Sequence, residues 1–87
     1  MKHDQSKLVR RLKIIEGQVR GLQEMLEGGT YCVDVITQTS AVKRALSSVE
    51  DELMRTHLST CVAEQMKRGD TKKAVDEIVK VYKIKRA

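Results

Sequence analysis

The chain has 87 residues, a net charge of +5, one third of its side chains charged, no proline, phenylalanine or tryptophan, and only five glycines. That length suits one small domain, residues 1–87, whose modest core would gain from self-association, and the scarcity of turn formers and aromatics excludes an all-β design. No apolar run approaches the ~18 residues of a membrane span and Met1-Lys2-His3-Asp4 is no apolar leader, so a cytoplasmic location is expected, with both cysteines as thiols rather than a structural disulfide.

The first predicted helix starts near Asp4 or Ser6, either able to cap exposed N–H groups, and stops at Gly28-Gly29. Leu8, Leu12, Ile15, Val19, Leu22 and Leu26 recur at steps of four and three, a heptad-like seam with Lys7, Arg10, Arg11 and Lys13 beside or behind it. The second runs unbroken from about Thr30 to Arg68 and ends at Gly69, with Ile36, Val42, Leu46, Val49 and Leu53 as its packing face. Ala41 and Ala45 are small enough to let two backbones approach. A helix this long needs a partner along most of its length, which predicts an antiparallel helical-bundle dimer. The third begins at Asp70 or Thr71 and carries Ala74, Val75, Ile78, Val79, Val81 and Tyr82 before a basic tail. The fold class is therefore all-α with three helices per chain, and no helix-turn-helix pattern is evident.

Charge is concentrated at the ends. Residues 1–20 hold six basic and two acidic side chains, residues 31–69 five of each, and residues 70–87 six basic and three acidic. Such asymmetry points to a polyanion, and the near absence of aromatics favours contact with duplex phosphates over stacking on single strands.

Cys32, His57 and Cys61 carry the chemistry. His57 and Cys61, spaced i, i+4, share a helix face and suit one metal ion, whereas Cys32 lies roughly 37 Å along the same helix. If two helices pack antiparallel and cross between Ala45 and Leu46, Cys32 of one chain lies opposite residues 58 and 59 of the other, and the pair makes two Cys/His/Cys sites. Two thiolates and an imidazole favour Cu(I); zinc would want a fourth donor such as Glu77, His3 or water, and nickel or cobalt more nitrogen or oxygen. A Cys/His nucleophile is the weaker reading, since no glycine-rich oxyanion turn accompanies it, so no enzyme is expected.

The segments Arg11-Leu-Lys-Ile-Ile-Glu-Gly-Gln-Val-Arg-Gly21, Thr30-Tyr-Cys-Val-Asp-Val-Ile-Thr-Gln38 and His57-Leu-Ser-Thr-Cys61 resemble the signatures of the CsoR/RcnR family of bacterial sensing repressors over nearly the whole chain. The resemblance implies dimers that pair into tetramers, bind operator DNA without a helix-turn-helix and let go when the sensed species binds. Cys32, His57 and Cys61 match the set that marks the family's Cu(I) sensors; nickel and cobalt sensors have a second histidine where Cys61 stands. Tyr31 and Glu77 match positions linking the liganded histidine to the bundle, and Arg10, Arg11, Lys13 and Arg44 are the expected phosphate contacts, followed by Lys43 and Arg20. One departure is Ile14, where the signature usually has arginine. The expected function is a Cu(I)-responsive transcriptional repressor that binds operator DNA as apo protein and is released by Cu(I). The alternatives are a reactive-sulfur sensor using Cys32 and Cys61, or a copper carrier that never meets DNA.

Overall fold

The computed structural model describes residues 5–86, all in helices and short connections. Helix α1 spans Ser6–Glu27 and α2 spans Cys32–His57. A π-helical turn, Leu58–Val62, then carries the chain without a break into α3, Ala63–Lys67, and α4 spans Thr71–Arg86. The three expected helices are present, the second composed of α2, the π turn and α3. His3 and Asp4 lie outside the described residues. Gln5 occupies the N-cap of α1 with no side-chain capping bond, so Ser6 is the first helical residue and not the cap.

Both glycine stops work in the same way. Gly29 (φ 72°) and Gly69 (φ 83°) take the left-handed conformation that a side chain disfavours. That turns the Thr30 N–H back to the Met25 carbonyl at 2.9 Å and the Asp70 N–H to the Gln65 carbonyl at 2.8 Å. With the Gly29–Leu26 and Gly69–Met66 bonds these complete two Schellman motifs, which satisfy carbonyls left over at the helix ends. Tyr31 then precedes α2, its carbonyl accepting from Asp34 and Val35, and Asp70 precedes α4, its carbonyl accepting from Ala74.

Two compact units divide the described residues, one ending at Leu53 and the other beginning at Met54. In the first, Ile15 of α1 packs with Val42 and Val49 of α2, flanked by Leu8, Leu22 and Ala45. Val35 is buried seven residues before Val42, so the stripe α2 buries is Val35, Val42 and Val49 at heptad spacing. Of the expected packing face, Val42 and Val49 are buried, and Val35 replaces the remaining members within the chain. Ile36, Leu46 and Leu53 are exposed within the chain, as are Leu12, Val19 and Leu26 of the α1 seam. The two α2 rows lie side by side on the helix, and the sequence pattern merges them.

In the second unit α3 packs on α4. Ala74, 1% exposed, is the most buried residue of α4, and Cys61, Val62 and Gln65 are the buried residues of the π turn and α3. Val75, Ile78, Val79, Tyr82 and Ile84 leave much of the apolar surface of α4 exposed, and Arg86 stacks over the Tyr82 ring at 5.5 Å. No described helix is long and apolar enough to cross a membrane.

Candidate functional site

The second unit holds two of the three expected ligands. His57 closes α2 and Cys61 lies in the π turn that follows. Two hydroxyls meet one carbonyl at this turn. The Thr60 hydroxyl donates to the Thr56 carbonyl at 2.7 Å and the Ser59 hydroxyl donates to the same oxygen at 3.2 Å, so two side chains serve that carbonyl where the helical ladder changes register. Thr60 Oγ1 also lies 3.4 Å from the Sγ of Cys61, which is buried.

His57 and Glu77 meet across the unit, Nε2 to Oε2, at 2.8 Å. The Gln65 amide nitrogen donates to the same carboxylate, at 3.3 Å to Oε1 and 3.4 Å to Oε2. The hydrogen bond from His57 is the main reason the Glu77 carboxyl is held below its ordinary value of 4.5; partial burial opposes this, and the Gln65 amide, the charge of His57 and nearby Lys73 reinforce it. An ionised carboxylate only accepts, so Nε2–H is the donor. In the neutral ring Nδ1 then carries the free lone pair. A carboxylate on one imidazole nitrogen and a metal on the other is the usual arrangement of a ligating histidine, so the donor set fits a soft metal ion.

Cys32 is the first residue of α2, exposed, in the other unit. Tyr31 beside it is 68% exposed. Among the described residues no three His, Cys, Asp or Glu side chains of one chain form a group able to hold a metal. The expected set is thus brought together only in part: His57 is joined to Glu77 through a hydrogen bond, while Cys32 and Tyr31 belong to the first unit. Gln65 was not expected from the sequence. Eight residues beyond His57, it falls about 80° round an unbroken α-helix, off the ligand face.

The expected phosphate contacts all lie in the first unit and are exposed: Arg10, Arg11 and Lys13 on α1, and Arg44 on α2. Arg11 borders an open groove of about 160 Å³ lined also by Ile14, Ile15, Gln18, Ala45 and Ser48. Ile14, at the position where arginine was expected, is 59% exposed, so an apolar side chain interrupts the basic surface.

Residues 4–84 match the family model described as metal-sensitive transcriptional repressor. The chain is 44% identical over 80 residues to the copper-sensing transcriptional repressor CsoR of Bacillus subtilis, covering 92% of this chain and 79% of that one. It is 50% identical over 60 residues to the copper-sensing transcriptional repressor RicR of Mycobacterium tuberculosis, covering 69% of this chain and 62% of the relative. The fold is similar to a crystal structure of the copper-sensing repressor CsoR with Cu(I) from Geobacillus thermodenitrificans, with a TM-score of 0.91 and 37% identity, covering all of this chain and 91% of the other. The chain belongs to the family of metal-sensitive transcriptional repressors.

Proposed function

We propose that this chain is a Cu(I)-responsive transcriptional repressor of the cytoplasm and not an enzyme. In this reading residues 1–87 act as one domain, assembled as dimers that pair into tetramers. The metal-free protein holds operator DNA through Arg10, Arg11, Lys13 and Arg44, and Cu(I) favours a conformation with lower DNA affinity. The copper-sensing relatives support the choice of metal. The observation that carries the reading is the 2.8 Å bond between His57 Nε2 and Glu77, which leaves Nδ1 as the donor atom.

Cys32 of one chain, with His57 and Cys61 of a second, would hold the ion. Bound Cu(I) supplies a soft cation that two thiolates and an imidazole satisfy and that polarises the ring. The remaining work belongs to the chain. Nε2–H donates to Glu77 on α4, so any change in the acidity of the His57 ring would be felt at that bond and passed to the helix that carries Glu77. The switch is decisive only if the metal discriminates between the two conformers, since equal affinity for both shifts nothing.

Mixed dimers test the shared site. Cys32→Ser chains keep His57 and Cys61, while chains with His57→Ala and Cys61→Ser keep Cys32. Neither variant alone should bind Cu(I) tightly against a competing chelator, whereas mixing them should restore one tight site per mixed dimer. No gain on mixing, with mixed dimers demonstrated by mass spectrometry, would contradict a site shared between chains.

A further inference from the structure

We infer that Gln65 is a positioning residue, which fixes the Glu77 carboxylate so that one oxygen faces His57 Nε2. The inference rests on the copper-switch reading only for its consequence for DNA; the positioning itself is a property of the metal-free chain.

Three observations carry it. Gln65 is 6% exposed, on α3, where a long polar side chain is costly to bury unless it serves a partner. Its amide nitrogen reaches both oxygens of Glu77, so it restrains the rotation of the carboxylate rather than holding one oxygen alone. Its own carbonyl oxygen is buried with no hydrogen-bond partner among the described residues. Leaving an acceptor unsatisfied destabilises the fold, and an apolar side chain of the same shape would avoid that cost, so packing alone does not account for glutamine here.

The π turn explains how Gln65 comes to share a target with His57. In an unbroken α-helix a residue eight positions on is rotated by about 80°. A π turn admits one extra residue into the ladder, so His57 and Gln65 are spaced as seven residues of α-helix would be, with a mismatch of only about 20°. The two side chains then lie on one face, two turns apart, and close on Glu77 from either side.

The test uses the full chain with Gln65→Met, which keeps length and helix propensity and removes the amide. In the metal-free protein, long-range ¹⁵N–¹H spectra should show His57 of the wild type protonated at Nε2, and a mixture of tautomers in Gln65→Met. With chelator-buffered Cu(I), the weakening of DNA binding should fall about tenfold in Gln65→Met, within the usual range of coupling between sites, while DNA binding by the metal-free protein is retained. In a Glu77→Ala background the same substitution should change neither readout further, because a residue acting through Glu77 then has no acceptor left to position. An unchanged tautomer with full release, or an equal loss in the Glu77→Ala background, would overturn the inference. Should Gln65→Met fold poorly, Glu77→Ala provides the second measurement: the Gln65 amide resonances must shift when their acceptor is removed, and fixed resonances would also overturn it. If the wild type fails to release DNA with Cu(I), the functional reading falls, and the tautomer comparison still decides the positioning.

Discussion

Glu77 receives hydrogen bonds from both His57 and Gln65, and its ionisation therefore bears on the stability of the second unit. Its carboxyl is held below 4.5, first by the His57 hydrogen bond. A depressed folded pKa means a contribution that is complete above the unfolded value and is lost as pH falls through the folded one. Thermal melts of the metal-free protein between about pH 5 and about pH 3 should therefore lose less stability in Glu77→Gln than in the wild type, because the variant has already surrendered that contribution. Parallel curves would remove Glu77 from the acid response. His57→Ala separates binding from switching in another way. Cys32 and Cys61 remain, so Cu(I) binding measured by chelator competition should be weakened but present. The copper-driven loss of DNA affinity, a factor of roughly 5–150 for typical coupling, should shrink towards one. Equal loss of binding and release would contradict a route through the imidazole. At this scale the sequence offers Cys32, His57 and Cys61 as candidate ligands by the chemistry of thiols and imidazoles, and the family resemblance adds Glu77, which does meet His57. The sequence does not show Gln65, since an amide is common on helices and only the register change brings it onto the face of His57.

The elements owe their ends to two glycines and their pairing to a stripe of valines. Gly69 has open space where a Cβ would sit but holds φ at +83°, so Gly69→Ala is strained without any clash and should cost about 1–2 kcal/mol in thermal denaturation. A neutral result would mean that the α3–α4 turn adapts. Val42, 5% exposed between Ile15 and Val49, should cost about 1–3 kcal/mol when cut to alanine, as buried truncations leave a cavity as well as losing transfer energy. Leu46→Ala, on the exposed row, should cost far less in an isolated chain, and a destabilisation that depends on protein concentration would identify that row as an interface between copies. Helix ends are legible in this chain because Gly28-Gly29 and Gly69-Asp70 are its strongest local punctuation. The buried row is legible only as a choice between neighbours: Val42 and Val49 belong to one heptad row, Leu46 and Leu53 to the next, and both are apolar. The π turn carries no proline or glycine to announce it. The hydroxyls of Ser59 and Thr60 meet one carbonyl there, a contact that becomes visible only in the folded helix.

For the whole molecule, the proposed phosphate contacts Arg10, Arg11, Lys13 and Arg44 lie in one unit and the His57–Glu77 pair in the other, with α2 belonging to both. Neutralised phosphates set affinity and its salt dependence, so replacing Arg10 and Arg11 together should flatten the plot of log affinity against log salt by about 0.9 for each phosphate left without its arginine, while the ranking of duplex sequences stays unchanged. An unaltered slope would exclude both from the phosphate surface. The exposed apolar residues of α4 and of the Leu46 row fit a chain that buries more surface on assembly than it does alone. On the proposed reading, Cu(I) and duplex DNA compete through the conformation of this protein. The measurement that tests it most directly is anaerobic fluorescence anisotropy of labelled operator duplex with reduced protein, titrated with chelator-buffered Cu(I) and, in parallel, with polysulfide. The predicted result is release at one equivalent of Cu(I) per chain and none with polysulfide; DNA that stays bound through saturation with Cu(I), or leaves only with polysulfide, would contradict the copper switch.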